Sequence, residues 1–239
     1  MAREMKDSGI EWIGEIPINW HIIKLKYVAT MQPSCDTSTL NDNSIITYTP
    51  MEFIKTGYYI TNTITFGEVS SSLTPYNEGD IVLAKVTPCF ENGNIAIMNS
   101  MNMIVGATGV SSYYGCVSPA YYTFYDDTEN HITAKLCEYI FRSKTMLRVL
   151  FSMGKGIYAI VRGDDRVNTC RLKVSRDDLR SIQLPIPLLD EQSEIVAYLD
   201  EKTAAIDSLI QKKEQLITEL EAYKKSLIYE YVTGKKEVK

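Results

Sequence analysis

A chain of 239 residues with 45% hydrophobic composition has ample material for a globular core. No apolar run approaches the roughly 18 residues of a spanning helix, and the start MAREMKDSG lacks the apolar stretch of a signal peptide, so a cytoplasmic location is expected. A net charge of -5 argues against a nucleic-acid partner only when averaged: residues 1–134 carry 6 Lys+Arg against 14 Asp+Glu, 135–180 carry 11 against 5, and 181–239 carry 8 against 11. The middle block alone has the local basic excess that counterion release on DNA requires, although a solvated helix face would look the same.

In chain order, KDSGIEWIGEIPINWHIIKLKYVA spreads Ile10, Trp12, Ile13, Ile16, Trp20, Ile22 and Leu25 irregularly between Gly and Pro, which reads as an arm that packs on something. From about Ile45 to Asp126 the texture is β. The runs IITYTPMEF, GYYITNTITF, DIVLAKV, GNIAIMN, MIVGATGV and SPAYYTFY are rich in Ile, Val, Thr and Tyr and are divided by Gly, Pro, Asn and Asp, predicting a mixed or antiparallel sheet. Ile132, Leu136, Tyr139, Ile140, Leu147, Leu150 and Phe151 recur at helical spacing, predicting a helix to Met153 with Lys135, Arg142 and Arg148 on another face. GKGIYAIVRGDDRVNTCRLKV follows as a Gly-bounded loop and strand, and Ser175 with Asp178 suits a capping box at a short helix.

Pro185 and Pro187 are expected to close that domain, because neither can donate to a ladder. Asp190 then caps a new helix, with Glu191 and Glu194 suiting its dipole. Heptads from there place Leu199, Ile206, Lys213, Leu220 and Leu227 at one seam position and Lys202, Leu209, Leu216 and Tyr223 at the other, flanked by Ile210 and Ile217. A helix from Glu191 to Val232 would be about 63 Å long, so its seam calls for a partner helix, and Lys213 is the kind of polar seam residue that fixes register. Gly234 is its expected stop. The expected class is α+β: a β-rich domain over 1–189, including the N-terminal arm, and one long helix over 190–239.

Little catalytic apparatus is visible. The chain has no G-x-x-x-x-G-K-[ST] phosphate loop, G-x-S-x-G elbow or H-E-x-x-H helix, and no Asn-Pro-Pro-aromatic tetrapeptide of amino-methyltransferases. Five scattered cysteines and two histidines, His21 and His131, show no zinc-ligand spacing, and buried free thiols are the better reading. The pairs Asp126 with Asp127, Asp164 with Asp165 and Asp177 with Asp178 sit where turns and caps belong. What remains are donor-rich loops on a β framework. AKVTPCFENGN brings Lys85, Thr87, Asn92 and Asn94, and GKGIYAIVRGDDR brings Lys155, Tyr158, Arg162 and Arg166. Arg and Lys bond guanine edges, Asn pairs with adenine, and Thr reaches base or phosphate. The ENGN residues would equally make a plain hairpin turn.

The stretches DSGIEWIGEIPINW, GDIVLAKVTPCFENGNIA, CVSPAYYTF and above all IPLLDEQSEIVAYLDEKTAAIDSLIQKKEQLITELEAYKKSLIYEYVTGKKEV resemble specificity subunits of type I restriction-modification systems. In that family a subunit carries two target-recognition domains, each followed by a long conserved helix, and the helices lie antiparallel as a ruler. This chain, with one of each, resembles a half-subunit. The resemblance implies a non-catalytic DNA reader whose helix forms an antiparallel coiled coil with a second copy through Leu199, Ile206, Leu209, Lys213, Leu216, Leu220, Tyr223 and Leu227. It implies no cofactor in this chain. Adenine methylation would fall to modification subunits using S-adenosylmethionine, and cleavage to restriction subunits using ATP and magnesium. A coiled-coil adaptor without DNA contact would explain the helix but not the basic block; a small nuclease would need a carboxylate cluster that the sequence does not present.

Overall fold

The computed structural model describes residues 3–31, 37–55, 59–69, 72–87, 89, 92–98, 114–125, 132–157 and 171–238. The chain forms two compact units, Met1–Gln192 and Ser193–Lys239, the division falling inside the last helix. In the first unit the N-terminal arm forms short strands. It makes β1 (Met5–Asp7) and β2 (Glu15–Pro17), which pair antiparallel, and β3 (His21–Lys24), followed by a 3-10 turn over Leu25–Tyr27 and the short β4 (Thr30–Met31).

The β-branched and aromatic runs then build two four-stranded sheets. The strands are β5 (Ile45–Thr49), β6 (Asn62–Thr65), β7 (Thr74–Asn77), β8 (Ile81–Ala84), β9 (Ile95–Ile97), β10 (Tyr114–Val117) and β11 (Tyr121–Tyr125). One sheet has the order β6-β5-β10-β7, with β10 parallel to β5, and the other the order β4-β11-β8-β9, all antiparallel. The MIVGATGV run lies outside the described residues. β8 is buried along its whole length, as its uninterrupted IVLA composition demands.

The helix expected up to Met153 is two helices, α1 (Ala134–Arg142) and α2 (Lys144–Met153). Ser143 breaks it: the residue is extended at φ -65° and ψ 139°, ends α1, and accepts a bond from Met146 N at 3.2 Å to cap α2. Apolar spacing carries across such a break because both helices put Leu136, Phe141, Met146 and Leu150 into one core. There Phe141 meets Phe124 of β11 with ring centroids 6.0 Å apart. On the other face of α1, Glu138 is buried between Lys135 at 3.0 Å and Arg142 at 3.5 Å.

After α2 come β12 (Lys155–Ile157), β13 (Arg171–Lys173), α3 (Arg176–Ser181), β14 (Gln183–Ile186) and α4 (Leu189–Val232). Ser175 caps α3 by accepting from Asp178 N at 3.1 Å. Pro185 does not end the ladder; it sits inside β14, opposite Ile22 of β3. An antiparallel two-stranded ladder engages only alternate residues, so a missing N–H is tolerated there. α4 opens at Leu189, one residue before the expected cap Asp190, and its first turn is tied into the first unit. Gln192 is fully buried; its Nε2 donates to Pro187 O at 3.1 Å and its Oε1 accepts from Thr133 N at 2.9 Å, at the N-cap of α1. Trp20 Nε1 donates to Glu191 Oε2 at 2.8 Å, and Arg3 pairs with the same carboxylate while its guanidinium lies 5.4 Å from the Trp20 ring centroid. The arm therefore packs on the base of the long helix.

In the second unit α4 runs unbroken to Val232, and Gly234 turns the chain at φ +71°, its N–H bonding Tyr231 O at 3.2 Å. Ile206, Leu209, Leu216, Leu220 and Tyr223 are each more than half exposed, so the apolar seam of this helix is uncovered in the single chain. Among the described residues no helix is long and apolar enough to cross a membrane.

Candidate nucleic-acid interface

The two donor-rich loops are 70 residues apart in sequence, and β13 joins them. Val86 bridges Lys173, Thr87 N bonds Leu172 O at 3.0 Å, and Val174 N bonds Lys85 O at 2.9 Å. On its other edge β13 pairs with β12, setting Lys173 opposite Lys155 and Leu172 opposite Gly156. Three segments thus run side by side, 85–87, 171–174 and 155–157. They set Lys173 and Lys155 opposite one another on one face and bring Lys85 close beside them, although the Val86–Lys173 bridge leaves Lys85 on the alternate face of its segment.

Two of these lysines sit directly across a ladder from one another, a like-charge arrangement that costs stability unless an anion offsets it. Asp178 is the nearest offset: Lys155 Nζ is 3.0 Å from its Oδ2. The Ser175 hydroxyl, 2.6 Å away, and then Lys155 hold the Asp178 carboxyl below its ordinary pKa. Lys85 is half-buried, its ammonium 4.6 Å from the Tyr122 ring centroid. Burial, and secondarily Lys173, lower its pKa.

The residues singled out in the sequence divide by exposure. Asn92 is exposed at the tip between β8 and β9. Thr87 and Asn94 are buried, 7% and 6% exposed, and are used inside the fold. Thr87 Oγ1 accepts from Leu172 N at 2.9 Å, fastening β13, while Asn94 hydrogen-bonds the Tyr121 hydroxyl and Ala84 N donates to Asn94 O at 3.0 Å. As placed, these two side chains are engaged within the fold. Tyr158, Arg162 and Arg166 lie outside the described residues. Lys173 was not singled out in the sequence. The alternation Arg171, Leu172, Lys173, Val174 could have found it, because Leu172 and Val174 are buried and Lys173 is exposed.

No protein-family model matches the chain. It is 27% identical over 216 residues to the specificity subunit of the type I restriction enzyme EcoEI of Escherichia coli, and 25% identical over 214 residues to that of EcoAI from the same organism. Each match takes in 87% of this chain, but only 31% and 32% of those proteins, so the chain spans about a third of the length of the curated relatives it matches. Among solved structures it is similar to the HsdS subunit from Thermoanaerobacter tengcongensis, with a TM-score of 0.57 and 18% identity over 81% of this chain and 44% of that one. A chain from a study of complex assembly and conformational transition in a type I restriction-modification system gives 0.61 and 15% identity, over 90% and 46%. The mixed α+β fold with one long C-terminal helix is shared with the matched part of these chains.

Proposed function

We propose that this chain is the DNA-reading half of a type I specificity subunit, non-catalytic in itself, that pairs with a second copy through α4. The observation that carries the reading is the extent of the similarity: one match to type I specificity subunits takes in 87% of the chain, too much to leave out either the β-rich unit or the helix. In this reading Lys85, Lys155 and Lys173 hold the DNA backbone, Asn92 reaches toward base edges, and Tyr158, Arg162 and Arg166 are further donors for DNA.

The exposed seam of α4 supports the pairing. Leu199, Ile206, Leu209, Leu216, Leu220, Tyr223 and Leu227 with Lys213 form one stripe, and an isolated helix with such a stripe gains most of its stability from a partner. Two copies antiparallel across that seam present two readers and offer a platform to modification subunits. Those subunits supply S-adenosylmethionine-dependent adenine methylation, and restriction subunits supply ATP- and magnesium-dependent cleavage; this chain contributes address and spacing.

Co-expression with modification subunits, followed by sequencing of methylated sites, tests the reading. Methylation at one defined bipartite target is expected, and Lys85→Gln with Lys155→Gln and Lys173→Gln should lower its rate severalfold without changing the site. A complex that assembles on this chain but neither retards DNA nor methylates it would mark the chain as a coiled-coil adaptor instead.

A further inference from the structure

A second basic feature lies on the other side of α3. The 3-10 turn over Leu25–Tyr27 is anchored against the end of that helix by Leu25 N bonding Ile182 O at 2.8 Å, and between them opens a cleft of about 260 Å3 lined by Lys24, Lys26, Asp177, Arg180 and Ser181. Three cations thus face one carboxylate. Among the described residues none of the three makes an ion pair, unlike Lys135, Arg142 and Lys155, whose partners are Glu138 and Asp178. The Ser181 hydroxyl is engaged with Asp178 O at 2.7 Å and forms a wall rather than a free donor. At the rim stands Tyr27, 61% exposed, with the Lys26 ammonium 4.6 Å from its ring centroid. Hydrogen bonding, and then charge, from Lys26 lower the Tyr27 pKa.

A concave surface with a surplus of two positive charges, whose cations make no ion pair among the described residues, fits an anion that brings its own oxygens. Neighbouring residues of α3 connect this cleft with the lysine surface described above: Asp178 bonds Lys155, and Asp177, one residue earlier, lines the cleft. We propose that the cleft between the Leu25–Tyr27 turn and α3 holds one phosphodiester group of duplex DNA, a backbone contact outside the Lys85–Lys155–Lys173 surface that fixes how the reader sits on its target. This rests on the DNA-reading function proposed above and adds a second contact to it. A contact to phosphate positions the protein without reading sequence.

The full chain, titrated by fluorescence anisotropy against a random-sequence duplex of about 30 base pairs between about 50 and 200 mM salt, provides the test. Lys24→Gln with Lys26→Gln and Arg180→Gln should bind more weakly at every salt concentration. The slope of log affinity against log salt should become shallower by about 1, so that the advantage of the unaltered chain shrinks about fourfold across that range. Asp177→Asn, which removes the one carboxylate that lines the cleft among the described residues, should bind more tightly, a gain that misfolding cannot imitate. The same loss of three charges on the long helix, through Lys212→Gln, Lys224→Gln and Lys225→Gln, should leave the slope unchanged. A triple cleft variant that keeps the original slope while the unaltered chain binds DNA overturns this inference alone; an unaltered chain that binds no duplex overturns the DNA-reading proposal with it. Inorganic phosphate that raises the melting temperature of the original chain but not of the triple variant, with duplex slopes equal, would assign the cleft to a free anion and overturn the DNA assignment.

Discussion

At the scale of single residues, the fold depends on a few positions where the neighbours leave no choice. Gly115 lies in β10 between β5 and β7, opposite Tyr76, and a Cβ there would fall 2.2 Å from the Tyr76 ring. That ring is buried and its hydroxyl is 3.4 Å from Thr49 Oγ1, so it cannot swing away cheaply. Gly115→Ala should destabilise the chain by about 1–3 kcal/mol in urea unfolding, and Tyr76→Leu in the same chain should recover part of the loss. Asp80, 3% exposed, accepts a bond from Asn77 N at 2.8 Å to close the turn between β7 and β8. Burial pushes its pKa up to about 6 despite that bond. A carboxyl raised on folding binds its proton more tightly in the native state. Its contribution is thus complete below the ordinary value of 3.8 and is lost as pH rises through about 6. Asp80→Asn keeps the neutral form at every pH. It should match the original chain near pH 4 and exceed it at pH 7.5 by on the order of 1–3 kcal/mol, measured by urea unfolding across that range. Equal stability at both values would mean that the Asp80 charge is accommodated without cost.

At the scale of elements, what was legible in the sequence was what local pattern decides. The strands containing Ile45, Ile81, Ile95 and Tyr121, the cap at Ser175, the stop at Gly234 and the long helix all follow from side-chain period and turn chemistry. The break at Ser143 was not legible, because α1 and α2 bury a shared core and the apolar spacing runs through it. Nor was the place of Pro185 in β14, which depends on a partner strand about 160 residues earlier. The candidate interface divides in the same way: Lys85 and Lys155 announce themselves as cations in loops, whereas the burial of Thr87 and the exposure of Lys173 depend on β13 docking against residues 85–87. The seam of α4 belongs to the legible part, and it carries a prediction of its own. Light scattering at micromolar concentration should give about twice 27.1 kDa, and Leu216→Lys with Leu220→Lys should halve that mass while leaving the melting of the β-rich unit in place. An original chain that stays at the monomer mass would remove the self-pairing from the proposal.

At the scale of the whole molecule, pairing through one helix per chain makes a quantitative demand on the DNA. Two identical readers related by a two-fold axis recognise identical half-sites in inverted orientation, with unread bases between them. The target of the paired chain should therefore be an interrupted palindrome. In the proposed pair its spacer would be set by α4, a single unbroken element of 44 residues. Inserting one heptad after Leu209 keeps the seam in phase and lengthens each helix by about 10 Å. At about 3.4 Å per base pair, that bounds the change in spacer near three base pairs. The β-rich units are untouched by the insertion, so the half-sites should stay as they were. Sequencing of methylated sites in cells carrying the insertion variant with modification subunits reads both quantities at once. A longer spacer between unchanged half-sites identifies α4 as the ruler. Altered half-sites, or an asymmetric target for the original paired chain, would instead mean that spacing and symmetry are imposed by the partner subunits.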